Sequence, residues 1–117
     1  MARDDNQREI ERALTKMGWE WRSLADVGRG IPDLMASHPD IPITILIECK
    51  VYHPKKKPEE QLNKQQLMFC ERWHSPVYIL RDETEVIGLK QQVIFDIAGH
   101  CDLIDNIQEA IMAKVRK

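Results

Sequence analysis

Apolar residues recur at helical spacing near the start of the chain. Ile10, Ala13, Leu14 and Met17 lie at offsets of three, four and seven, while Arg8, Glu9, Glu11 and Arg12 occupy other faces. This predicts a helix over Asp4–Met17, capped by Asp4 or Asp5 and ended by Gly18. The period then changes to two: Trp19-Glu20-Trp21-Arg22-Ser23-Leu24 alternates apolar and polar, as a half-buried strand does. Gly28 and Gly30 flank Arg29 in a turn. Two more strands are expected over Pro32–Ala36 and Ile43–Lys50, the second rich enough in Ile and Leu to be a central strand buried on both faces. Tyr52–Pro58 cannot stay in the sheet, because Pro54 and Pro58 lack the ladder donor. Helical spacing returns over Glu59–Trp73 through Leu62, Leu67 or Gln66, Phe69, Cys70 and Trp73, with Pro58 placed to start it. Val77–Leu80 reads as a short strand, Asp82–Leu89 as a helix, and Val93–Gly99 fits either helix or strand. Asp102 or Asp105 caps a last helix running to Val115, with Ile104, Ile107 and Ile111 on one stripe. The order predicts one α/β domain over residues 1–117, a mixed central sheet flanked by helices. Its one parallel crossover runs from Ile43–Lys50 through the 59–73 helix to 77–80 and should be right-handed.

The length of 117 residues suits a single core, and 43% hydrophobic with 31% charged residues excludes a disordered or collagen-like chain. A balance of 17 Lys+Arg against 19 Asp+Glu gives a net charge of −2. A basic coat over the whole surface is thereby excluded, but a local basic patch is not. No apolar run approaches the ~20 residues of a membrane helix, and no apolar signal segment opens the sequence, so no membrane association is expected. Cys49, Cys70 and Cys101 are odd in number and form no CxxC pair. They read as reduced thiols of an intracellular, cytoplasmic protein rather than as a disulfide frame or zinc site. The phosphate-loop pattern GxxxxGK[ST] is absent, so no nucleotide cofactor is expected.

The chemistry is concentrated in Gly28-Arg29-Gly30-Ile31-Pro32-Asp33-Leu34 and Ile47-Glu48-Cys49-Lys50. Positions i and i+2 of a strand share a face, so Glu48 and Lys50 project together and Cys49 faces the other way. Asp33 stands at the start of a strand that can lie beside this one. Two carboxylates and an ammonium would then converge. Carboxylates are the ligands that Mg²⁺ prefers, and a lysine beside the ion is placed to orient water or offset charge on a phosphate. A Glu-x-Lys pair alone is often only a solvated polar face. This pair emerges from a buried strand, where an unpartnered Glu costs several kcal/mol, and that points to a site or an ion-pair network.

Gly-Ile-Pro-Asp-Leu, then Ile-Glu-Cys-Lys, then Leu62-Asn63-Lys64-Gln65-Gln66 resembles the PD-(D/E)XK nuclease superfamily. The likeness is to its small VRR-NUC and Holliday-junction-resolvase-like branch, often phage-encoded, and covers about Gln7 to Leu80. The resemblance implies a restriction-endonuclease-like fold. It implies Asp33 and Glu48 as ligands of Mg²⁺ or Mn²⁺, Lys50 as the catalytic lysine, Gln66 as the glutamine of the following helix, and the backbone carbonyl of Cys49 facing the metal. Such nucleases carry a glutamate in the first helix; the matching position here is Gln7, and Glu11, one turn later, is the nearest carboxylate substitute.

Lys50, Lys55, Lys56 and Lys57 place four cations in eight residues with no acid among them, and His53 adds a titratable donor. Lysines that neutralise phosphates bind nucleic acid without reading its sequence. With Arg29 and Lys64 this loop is the expected phosphate track, whereas Trp19, Trp21 and Trp73, which could stack on bases, read first as core or interface packing residues. The function expected is a metal-dependent endodeoxyribonuclease acting on DNA, branched DNA above all. A homodimer built on the Ile104, Ile107, Ile111 stripe would bring two sites to two strands. The rival readings are a nicking or flap- and end-processing nuclease, and a catalytically silent nucleic-acid-binding module on the same fold.

Overall fold

The structure, a computed structural model, describes residues 5–99, so the expected last helix and its isoleucine stripe lie outside the described residues. The chain divides into two compact units, one ending at Ile87 and the other beginning at Gly88; of the second, residues 89–99 are helical. The period around Val93–Gly99, which fitted helix or strand, resolves as helix.

The first unit holds helix α1 (Asp5–Lys16), strands β1 (Glu20–Ser23), β2 (Leu34–Ser37) and β3 (Ile45–Cys49), a 3-10 turn (Pro58–Gln61), helix α2 (Lys64–Arg72), strand β4 (Val77–Leu80) and helix α3 (Glu83–Ile87). The strands form one mixed sheet in the order β1-β2-β3-β4. β2 runs antiparallel to β1 and β3, and β3 pairs with β4 in parallel, as the crossover pattern implied. α1 lies against β1 and β3. No helix among the described residues is long and apolar enough to cross a membrane.

β3 is the central strand expected. Ile45 and Ile47 are fully buried and Cys49 nearly so, each Ile worth ~1.5–3 kcal/mol of transfer free energy. Leu46, Glu48 and Lys50 stand on the opposite face. Three expectations need correction. The helix expected over Glu59–Trp73 is two pieces, because Asn63 adopts an extended conformation (φ −79°, ψ 176°) and caps α2 afresh. The helix expected over Asp82–Leu89 ends at Ile87, ahead of a turn at Gly88. On α1 the inward stripe differs from the apolar one. Glu11 (4% exposed) and Gln7 (5%) share the buried stripe with Ile10 and Leu14, while Met17 is exposed.

Candidate active site

β2 and β3 meet at a fork. Their last paired residues are Leu34 and Ile47, and one step further the antiparallel register sets Asp33 opposite Glu48. Residues directly opposite on neighbouring strands have Cβ atoms ~4.5–5.5 Å apart, so the carboxylates meet although 15 positions separate them in sequence. Pro32, fully buried, has no N–H with which to continue the ladder. The Asp33 side chain takes over: its Oδ2 accepts the Cys49 N–H at 2.8 Å, while its backbone carbonyl accepts the Leu24 N–H at 2.7 Å. Asp33 is thus held from both sides.

The peptide between Cys49 and Lys50 is trans, so its carbonyl and N–H point in opposite directions. The Lys50 N–H donates to the Leu80 carbonyl on β4 at 2.9 Å. The Cys49 carbonyl therefore points towards the β2 side, where Asp33 stands. Asn6, at the start of α1, closes the other end of this fork. Its Nδ2 donates to the carbonyls of both Lys50 (2.7 Å) and Arg81 (2.6 Å), tying the ends of β3 and β4 together.

Glu48 is 4% exposed. Its Oε1 accepts from Gln66 Nε2 at 2.8 Å and lies 3.8 Å from Lys50 Nζ. Burial, and then the charge of Asp33, push the Glu48 carboxyl up to about 8; Lys50 pulls the other way without offsetting them. The same neighbourhood reaches Cys70, one turn beyond Gln66 on α2, whose thiol is raised by burial and by the Glu48 charge.

Gln66 is aimed by a capping box. Asn63 Oδ1 accepts the Gln66 N–H at 2.9 Å, and Gln66 Oε1 accepts the Asn63 N–H at 2.9 Å. With its oxygen committed to the cap, the Gln66 amide presents its NH₂ to Glu48. α2 has no buried residue of its own. A second anchor is Gly30, with φ +80°. A Cβ there would lie 2.5 Å from the Gln65 carbonyl oxygen, so the loop backbone packs directly on the first turn of α2.

The structure thus brings together Asp33, Glu48, Lys50 and Gln66, with the Cys49 carbonyl on their side. Gln7 and Glu11 bond each other on the buried side of α1, Gln7 Nε2 to Glu11 Oε2 at 3.1 Å. No group of three or more His, Cys, Asp or Glu side chains is arranged to hold a metal among the described residues. Arg29, His53, Lys55, Lys56, Lys57 and Lys64 are all exposed. His53 Nδ1 accepts the Lys55 N–H at 3.1 Å and its carbonyl accepts the Lys56 N–H at 3.2 Å, which turns the loop; Lys64 opens α2. Asn6 and Asn63 escaped the sequence reading, although Asn63 followed by Gln66 is a legible capping-box signature. Trp19 is a packing residue, 4% exposed, but Trp73 is 47% exposed. In comparisons with protein-family models, curated proteins and solved structures the chain has no significant match, so what it does has to be argued from the site itself.

Proposed function

We propose that the chain is a metal-dependent endodeoxyribonuclease of the PD-(D/E)XK type, with a restriction-endonuclease-like arrangement of its sheet, hydrolysing DNA phosphodiester bonds at branch points. The observation that carries the reading is the fork of β2 and β3. There a buried carboxyl pushed up to about 8 lies beside a second carboxylate, an ammonium at 3.8 Å and an amide donor at 2.8 Å. A solvated polar face would have no reason to bury Glu48.

The donors fit a hard divalent cation. Asp33, Glu48 and the Cys49 carbonyl are all oxygen ligands, and the single ammonium of Lys50 leaves two carboxylates only partly compensated. Bound there, Mg²⁺ or Mn²⁺ would neutralise the carboxylates, polarise the scissile phosphate and lower the pKa of water. The protein's own part is positional. Cys49 N–H fixes the Asp33 carboxylate, Gln66 fixes Glu48, and Lys50 Nζ orients the attacking water and offsets charge building on the phosphate. The loop of Lys55, Lys56 and Lys57 leaves β3 directly and would carry the flanking DNA backbone. Symmetric cleavage of two strands would take two copies of the chain.

The test pairs cleavage with binding on four-way, flapped and linear DNA. Cleavage is expected in Mg²⁺ or Mn²⁺, with Ca²⁺ supporting binding but little turnover. Asp33→Asn removes a negative charge facing phosphate, so metal-free binding should hold or tighten while cleavage falls ~10²–10⁴-fold. Cleavage in excess EDTA, or an Asp33→Asn protein that cuts as its parent does, would overturn the assignment. A folded parent that binds DNA and cuts none of it in any metal would leave a binding module.

A further inference from the structure

One face of α2 takes no part in the fork. Gln65, Met68, Phe69, Arg72 and Trp73 recur at helical offsets of three, four, seven and eight and, with Arg29 from the glycine loop, line an open pocket of about 340 Å³. Phe69 and Trp73 stack with ring centroids 5.0 Å apart and planes 22° from parallel. Trp73 keeps 47% of its surface exposed and Met68 40%. Two guanidiniums, both on exposed residues, border this apolar floor, and no carboxylate among the described residues lines it. The backbone is held unusually to bring one of them there: Arg29 has φ +60° between two glycines at +71° and +80°. A residue with a Cβ pays for that conformation, and such strain collects at binding sites.

An aromatic stack whose outer ring is half exposed, flanked by cations and with no carboxylate among its described lining residues, is complementary to a ligand that is both aromatic and anionic. Gln65 lines the pocket and its neighbour Gln66 reaches Glu48, so one turn of α2 contributes a side chain to the pocket and another to the fork. We propose that this pocket takes an unpaired nucleotide of the substrate, its base extending the Phe69–Trp73 stack and its phosphate between Arg29 and Arg72. The inference rests on the nuclease reading for the identity of the polymer, and it specifies what the chain recognises at a branch point: the place where pairing stops and a base is free to leave the helix. Bases in a continuous duplex are stacked on one another and cannot use the pocket.

The experiment separates base from phosphate. Fluorescence anisotropy in EDTA compares a duplex bearing a short oligothymidine tail with the same duplex bearing an abasic tail of equal length. The parent should bind the thymidine tail about 10-fold more tightly. Trp73→Ala should erase that difference, Trp73→Phe should restore most of it, and Arg72→Gln should weaken both tails alike while keeping it. Trp73 and Arg72 are exposed, and thermal unfolding of each variant checks that it folds. A parent indifferent to the loss of bases, or a Trp73→Ala protein that keeps the preference, would overturn the proposal. So would a Trp73→Ala protein that keeps the preference but changes its sedimentation, which marks a protein contact instead. Cleavage of the same DNA in Mg²⁺ is scored separately. Cleavage without a base preference removes the pocket and leaves the nuclease; a base preference without cleavage removes the nuclease and leaves the pocket.

Discussion

Gly28 and Gly30 share a left-handed backbone, with φ of +71° and +80°, yet differ in what surrounds them. A Cβ on Gly28 would meet nothing within 4 Å, whereas one on Gly30 would meet the Gln65 carbonyl oxygen at 2.5 Å and its carbonyl carbon at 2.6 Å. Alanine at either position incurs ~1–2 kcal/mol for the left-handed conformation, less ~0.4–1 kcal/mol gained by stiffening the unfolded chain. Gly28→Ala should therefore cost about 1 kcal/mol. Gly30→Ala adds a clash against helix backbone, which yields only if α2 moves, and overpacking of this kind costs ~1–3 kcal/mol more. The total is about 2–4 kcal/mol. Urea unfolding of the two variants beside the parent measures both numbers, and their difference isolates the close approach. A shift of α2 also draws Gln66 away from Glu48, so Gly30→Ala should lose cleavage beyond its loss of stability, and Gly28→Ala should not. Equal destabilisation by the two alanines would refute the idea that the glycine loop seats α2.

Three further outcomes follow from the same geometry. Without metal, the native state keeps a proton on Glu48 between an ordinary carboxyl pKa near 4.5 and about 8 while the unfolded state releases it, so stability falls as pH rises through that window. Relative to Glu48→Gln, the parent in EDTA should lose up to about 1.4 kcal/mol per pH unit, and saturating Mn²⁺ should flatten the slope; a pH-independent difference in urea midpoints would count against a buried proton at Glu48. Gln66→Glu keeps the capping box but sets a carboxylate against Glu48, so helix stability should hold while cleavage collapses; equal activity would remove Gln66 from the site. Neutralising Lys55, Lys56 and Lys57 together should weaken binding to all DNA sequences and reduce the log–log salt slope by about 2–3, and an unchanged slope would move the phosphate track elsewhere.

The strand β3 and the shared face of Glu48 and Lys50 were legible because period two survives in a five-residue strand. The meeting of Asp33 with Glu48 was expected only in outline, since sequence separation does not state a register; it is the pairing of Leu34 with Ile47 that makes them opposite. The break before α2 was hidden by Leu62, whose spacing continues the apolar pattern through a point where Asn63 competes for the backbone and restarts the helix. The burial of Glu11 was only partly legible: counting apolar residues alone leaves it off the inward stripe, although its offset of four from Gln7 and one from Ile10 places it there. The pocket on α2 was obscured for the opposite reason: aromatic residues at helical spacing ordinarily mean core, so packing took precedence over base stacking for Trp73.

The two hydrogen bonds of Asn6 have a consequence for how the protein is made. Every residue of the proposed site falls between Asp33 and Gln66, but Asn6 joins positions 44 and 75 residues away, and the Lys50 N–H waits for the carbonyl of Leu80. Contacts over such separations repay their loop entropy only late. A nascent chain that has emerged as far as Trp73 already carries both carboxylates, the lysine and the glutamine, yet lacks the strand and the carbonyl that hold the end of β3 in place. The helix synthesised first must therefore keep its opening turn unfastened until β4 is complete. Alignment of the fork is thus coupled to completion of the sheet, and a prematurely ended chain would retain its carboxylates, lysine and glutamine without the frame that aligns them.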